Sequence, residues 1–229
     1  MSAPTGAVTS AVTSAMQIAL IPAASLVATP WKNGGGVTRE IAAYPQGAAL
    51  DAFGWRVSVA DVAQPGPFSR FAGIDRTLVL LEGSGMLLDE RGDSGDRGNA
   101  SPRTHALTKP LDIARFAGET AIDARLVDGA TRDFNLMVRR GAASGHVEIW
   151  RGAGTHSVTA DTLLLFCATG PLRVTPGAAA PVALATSDTL RIDHAQALHC
   201  TCEGTGTVLA VRLELQPPAR AAAAGIAQP

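Results

Sequence analysis

Apolar residues that recur at every second position, in short runs closed by glycine and proline, limit what this chain can fold into. In Gly54-Trp55-Arg56-Val57-Ser58-Val59-Ala60 the residues Trp55, Val57 and Val59 fall on one face of an extended segment, and Arg56 and Ser58 fall on the other. In Arg76-Thr77-Leu78-Val79-Leu80-Leu81-Glu82-Gly83 both faces are apolar, as in a strand buried between two layers, and Arg76 leads it. A sustained 3.6-residue period is hard to find anywhere. The 24 glycines and 14 prolines supply the breaks between runs, so the expected class is all-β.

After Gly141 a second series begins with His146-Val147-Glu148-Ile149-Trp150 and ends with Gly206-Thr207-Val208-Leu209-Ala210-Val211-Arg212-Leu213. It echoes the first in strand count and spacing, most clearly between LVLLEGSGMLL (78–88) and LLLFCATGPLRV (163–174). The expected organisation is two stacked jelly-roll-like β-barrels, the first over residues 16–141 and the second over 142–216. Residues 1–15 read as a flexible extension and 217–229 as a tail, since two prolines end the last strand. The polar, glycine-rich stretch from Asp89 to Arg103 reads as a hairpin tip.

Charge excludes some functions. The formal net charge is -1 and no basic run carries interleaved aromatics, so no nucleic acid partner is expected. No apolar run approaches the ~18 residues of a spanning helix, and the N-terminus lacks the basic region of a secretory leader; no membrane partner is expected. Cys167, Cys200 and Cys202 are the only cysteines, an odd number suited to a reducing compartment, and the expected location is cytoplasmic. Unpaired edge strands would allow a homodimer.

The segment WKNGGGVTRE (31–40) sets Lys32 and Asn33 before three consecutive glycines. It is not a phosphate loop: the lysine precedes the glycines, and Val37-Thr38-Arg39-Glu40-Ile41 reads as a short strand rather than a phosphate-capping helix. A turn or bulge leading into that strand is one reading. An access loop that aims Lys32 and Asn33 at a ligand is the other.

WKNGGGVTREI, FGWRVSVADVAQPGPFSRFAGIDRTLVLLEGSGMLL and FAGETAIDARLVDGATRDFNLMVRRG, taken together and in this order, resemble the HutD/Ves family of bacterial proteins. The resemblance implies a bicupin, two cupin barrels in one chain. It also implies a regulatory role in histidine utilisation, through binding of a pathway intermediate such as N-formylglutamate. No established reaction comes with it. Metal-binding cupins place a glutamate where this chain has Arg76, paired histidines at Arg70 and Ala72 or at Ser69 and Phe71, and a third histidine at Ala121. A divalent ion needs imidazole, carboxylate or thiolate donors, so neither a metal nor another cofactor is expected in the first barrel.

A guanidinium in place of a metal selects an anion, because its fork of donors matches a carboxylate. The expected partner is therefore a small carboxylate held by Arg76. The other candidate ligand-binding residues are Lys32, Asn33, Glu40, Arg56, Ser58, Phe68, Ser69, Asp133 and Asn135. Alternation puts Asp133 and Asn135 on one face of their strand, opposite Phe134 and Leu136. Against this, Arg76 could simply pair with Asp75, Asp133 or Glu40. An enzyme of cupin type, an isomerase or hydrolase with Glu40 or Asp133 as base, is the competing function. Catalytic residues are not fixed by spacing: His105 and His146 read as surface residues, and His194, His199, Cys200 and Cys202 do not have zinc-site spacing.

Overall fold

The computed structural model describes residues 15–91 and 103–217. Nearly all of the expected N-terminal extension, the tip of the polar loop and the C-terminal tail lie outside the described residues. In chain order the strands are β1 (Gln17–Ile21), β2 (Ala28–Pro30), β3 (Gly36–Tyr44), β4 (Trp55–Val62), β5 (Gly66–Pro67), β6 (Ile74–Glu82), β7 (Met86–Arg91), β8 (Arg103–Leu107) and β9 (Ile113–Ala117). They continue as β10 (Ala121–Leu126), β11 (Thr131–Arg139), β12 (Ala143–Arg151), β13 (Gly154–Thr169), β14 (Leu172–Pro176), β15 (Val182–Leu184), β16 (Thr189–Gly204) and β17 (Thr207–Leu215). A single turn of 3-10 helix, Ala23–Ser25, interrupts them.

Strands β2 to β11 build the first unit as two sheets, a six-stranded one in the order β2-β3-β4-β11-β6-β9 and a four-stranded one in the order β5-β10-β7-β8. The chain crosses between the sheets at Gly83-Ser84-Gly85, where β6 leaves one sheet and β7 enters the other. Glycine is required at this corner. Gly83 has φ +99 and Gly85 φ +119, and a Cβ on them would stand 2.6 Å from the Ala130 carbonyl oxygen and 2.4 Å from that of Leu107. Leu78 and Leu80 from one sheet meet Met86, Leu88, Leu107 and Ile122 from the other in a common core.

The second unit is one seven-stranded sheet in the order β12-β17-β13-β16-β14-β15, and β1 is added to it through β16, with Gln17 opposite Asp193 and Ile21 opposite Thr189. Residues 17–21 therefore cross to the second sheet and do not stay with the 16–141 unit. Strands β13 and β16 are each 16 residues long. Their ladder shifts between Val158 and Ala160, and His194 and Ala197 take φ values of 59 and 46. Such irregularities bend a strand pair, and the bent sheet wraps a core of Trp150, Leu163, Leu165, Ile192, Cys200 and Cys202. The second half uses fewer, longer strands than the first, so the expected echo in strand count is absent. The architecture is the expected all-β bicupin, with open sheets in place of closed barrels.

The cysteines belong to that packed interior. Burial pushes the Cys200 thiol up to about 12 and raises those of Cys167 and Cys202. His199 instead lies outward, its Nδ1 2.8 Å from the Ser157 hydroxyl. Among the described residues no three His, Cys, Asp or Glu side chains are grouped to hold a metal ion, and no helix is long and apolar enough to cross a membrane.

The two units share a third core. Val57, Val59, Phe134, Leu136 and Val138 on the outer face of the six-stranded sheet pack against Leu164, Phe166, Leu209, Val211 and Leu213. The Phe134 and Phe166 rings are 5.1 Å apart. Phe166→Ala is expected to cost about 3–5 kcal/mol and to leave a single unfolding transition in urea. Two separate transitions, or a loss confined to one of them, would show that the halves fold independently.

Candidate ligand-binding site

Because the outer face of the six-stranded sheet is committed to the second unit, the alternate residues look into the space between the sheets of the first. On β11 these are Asp133, Asn135 and Met137. The register sets them beside Ala60, Ser58 and Arg56 on β4, and beside Leu80, Leu78 and Arg76 on β6. Glu40 on β3 comes next, opposite Ser58. The pairing thus brings Arg76, Arg56, Ser58, Glu40, Asp133 and Asn135 onto one inner face, as alternation implied.

Arg76 is the centre of this face. It is only 7% exposed, and its Cζ lies 5.3 Å from the ring centre of Phe68, 5.8 Å from Phe71 and 5.1 Å from Phe116. Its Nε has no hydrogen-bond partner, and no carboxylate among the described residues forms an ion pair with it. The acids nearest in sequence or expectation are engaged elsewhere: Glu40 accepts from Arg56 at 2.7 Å, and Asp75 from Arg140 at 2.5 Å. Burial lowers the Arg76 pKa to about 10, Asp133 partly offsets this, and Arg56 adds to it. The guanidinium stays charged at neutral pH. Aromatic faces return on the order of 0.5–2 kcal/mol, less than the several kcal/mol that an unpaired buried ion costs.

Asp133 is 1% exposed with no partner for Oδ2, and Asn135 is 8% exposed with none for Oδ1. Burial is the chief cause that pushes the Asp133 carboxyl up to about 7; Arg76 opposes it and Asp61 reinforces it. A charged donor and two unmatched acceptor groups therefore line the same buried face. That is the chemistry of a polar ligand's contacts, since native interiors pair nearly all such groups.

Several expected residues do not join them. Lys32 and Asn33 are exposed, and the Asn33 Oδ1 accepts the Gly35 N–H at 3.1 Å, turning the amide onto its own loop. WKNGGG is a tight connection from β2 to β3, closed by Trp31 N–H donating to the Gly36 carbonyl at 2.9 Å. Gly36 is there because a Cβ would lie 2.5 Å from the Asp61 carbonyl oxygen. The inward residue of the segment is Trp31, which donates through Nε1 to Thr38 at 2.7 Å and meets Phe68 edge-on at 6.4 Å. Ser69 is exposed, while Phe68 is half-buried against Arg76.

Sequence reasoning also left out three contributors. Phe71 and Phe116 complete the aromatic wall, and Phe116 reaches it only because β9 pairs with β6 and sets Phe116 opposite Arg76. His105, expected at the surface, has a side chain 9% exposed and is bonded to Glu90 at 2.7 Å. The positions at which cupins hold a metal carry Arg76, Arg70, Ala72, Ser69, Phe71 and Ala121, and this set does not fit a divalent ion.

Asp133 makes stability depend on pH in a particular direction. Its folded pKa is raised, so its contribution is complete below the ordinary carboxylate range, at about pH 4, and is lost as pH rises through about 7. Asp133→Asn removes that titration. The variant is expected to gain on wild type by up to about 1.4 kcal/mol per pH unit between about pH 4 and 7, read from denaturant melts across that range. A stability gap that is constant or shrinks with rising pH would show Asp133 ionised and compensated in the interior.

The chain is similar to proteins of several pseudomonads. It is 36% identical over 177 residues to an uncharacterized 21.2 kDa protein in the hutC 3′ region of Pseudomonas putida, covering 77% of this chain and 87% of that protein. The structure of HutD from Pseudomonas fluorescens, in a formate condition, superposes with a TM-score of 0.73 at 30% identity, covering 88% of this chain and all of that one. A conserved Pseudomonas aeruginosa protein of unknown function gives a TM-score of 0.72 at 31% identity over the same share of this chain. The family described as HutD matches residues 23–210, and the chain belongs to that family.

Proposed function

We propose that the chain is a small-molecule-binding bicupin that works without a metal, as a regulatory protein of histidine utilisation, and that its ligand is a small carboxylate such as N-formylglutamate. One observation carries this reading: Arg76 is buried and charged, yet among the described residues it forms no ion pair and its Nε has no hydrogen-bond partner, Asp133 offsetting the burial only in part. A carboxylate entering between Phe68, Phe71 and Phe116 would supply the missing charge in the bidentate geometry that a guanidinium favours. The relative in the hutC 3′ region supports the pathway, and the HutD solved in a formate condition makes formate a suitable minimal probe.

A specific observation also favours an enzyme. A carboxyl held near neutrality beside a cation is suited to general acid–base work, and Asp133 is pushed up to about 7 next to Arg76. Glu40 is the weaker candidate base, since it is held by Arg56.

Calorimetric titration with formate, urocanate and N-formylglutamate is expected to show binding by wild type and at least about a tenfold loss for Arg76→Gln. Equal affinities would overturn the anion site. The same mixtures followed by NMR are expected to stay unchanged; consumption of a ligand, abolished by Asp133→Asn, would establish the enzyme.

A further inference from the structure

A second polar pair faces the same interior from the opposite sheet. Alternation on β7 sends Met86, Leu88 and Glu90 inward, and the register with β8 sets His105 opposite Leu88 and Leu107 opposite Met86. His105 and Glu90 therefore share the inner face with apolar core residues. Their bond is 2.7 Å long, and their side chains are 9% and 25% exposed. Of the other charges of this sheet, Asp89 with Arg125 and Arg91 with Asp123 pair on its outer face, and Arg103, opposite Glu90 at the start of β8, is exposed. The inward pair is the exception.

Phe116 connects this pair to Arg76. The His105 ring centre is 6.0 Å from that of Phe116, and the Arg76 Cζ is 5.1 Å from the same ring. Both polar groups thus lie against one phenyl ring. Their free atoms are complementary in kind. When the imidazole donates Nε2–H to Glu90, its Nδ1 and the second Glu90 oxygen are both left as acceptors. Asp133 Oδ2 and Asn135 Oδ1 are buried oxygens that have no partner. The interior between the sheets accordingly carries a strong donor at Arg76 and unpartnered oxygens at Asp133 and Asn135.

We infer that Glu90 and His105 form a second recognition point, which selects carboxylates bearing a hydrogen-bond donor, a primary amide or an ammonium, at the end away from the anion. Glu90 and His105 are specificity-determining residues on this account, and Arg76 supplies the common anchor. The inference rests on the carboxylate-binding reading of Arg76.

Three probes separate the two. Acetate offers the anion alone, 4-carbamoylbutyrate adds a terminal amide, and monomethyl glutarate has nearly the same length without a donor. Calorimetry on wild type is expected to favour 4-carbamoylbutyrate over monomethyl glutarate by about tenfold. Glu90→Gln, and His105→Asn as a second variant, are expected to reduce that ratio to within about threefold and to weaken 4-carbamoylbutyrate more than acetate. Arg76→Gln is expected to weaken all three. An amide preference absent from wild type, or retained in both variants, overturns the inference, as does an equal loss of acetate binding in them. If Arg76→Gln binds the probes as wild type does, the anchor itself is wrong.

Discussion

Contact between the outer face of the six-stranded sheet and the second unit is the interaction that everything else relies on. A sheet that faces water on one side must put its apolar residues on the other. Here Val57, Val59, Phe134 and Leu136 find their burial against Leu164, Phe166 and Leu213. The inner face is thereby released from supplying the whole hydrophobic contribution, and it carries Arg56, Ser58, Asp133, Asn135 and Arg76. The second half reads as a support for the first: its own interior is filled by Leu, Ile, Val and Cys side chains, and its buried polar members are threonines.

The inner face is polar without being self-sufficient. A structural ion pair would show its charges bonded to each other, as Arg56 and Glu40 are. Arg76 and Asp133 instead influence one another through space, each lowering the cost of the other's charge, while both keep an atom unbonded. Attraction of this kind leaves directional bonds available. The phenylalanines around Arg76 keep it in place by dispersion and by their quadrupoles, neither of which uses up an N–H. A guanidinium held by rings is positioned without using up its hydrogen-bond donors.

What the sequence made legible was local. Period-two alternation assigned Trp55, Val57 and Val59 to one face and Arg56 and Ser58 to the other, and it did the same for Asp133 and Asn135, because the side-chain direction of a strand depends only on parity. Parity also applies to His105, and the apolar Leu107 two residues on marks its face as the inward one, but a single apolar residue on a five-residue strand after a polar stretch is a weak signal. Phe116 is similar: it becomes a neighbour of Arg76 through strand pairing alone. Lys32 and Asn33 misled for another reason. Polar residues ahead of glycines suit a binding loop and a tight turn equally, and the Asn33 amide bonded to Gly35 decides for the turn.

The position of β1 has a consequence for how the chain comes to be folded. A strand that begins at Gln17 and pairs with Asp193 is synthesised first and satisfied almost last. At ribosomal rates its partner emerges roughly ten to thirty seconds later, after the whole first unit has left the tunnel. Over that interval an apolar segment containing Ile18, Leu20 and Ile21 has no sheet to join, and the edge of the second sheet that receives it does not yet exist. Closure of β1 onto β16 is thus a late event in biogenesis, and the nascent first unit spends that time without the layer that covers its outer face.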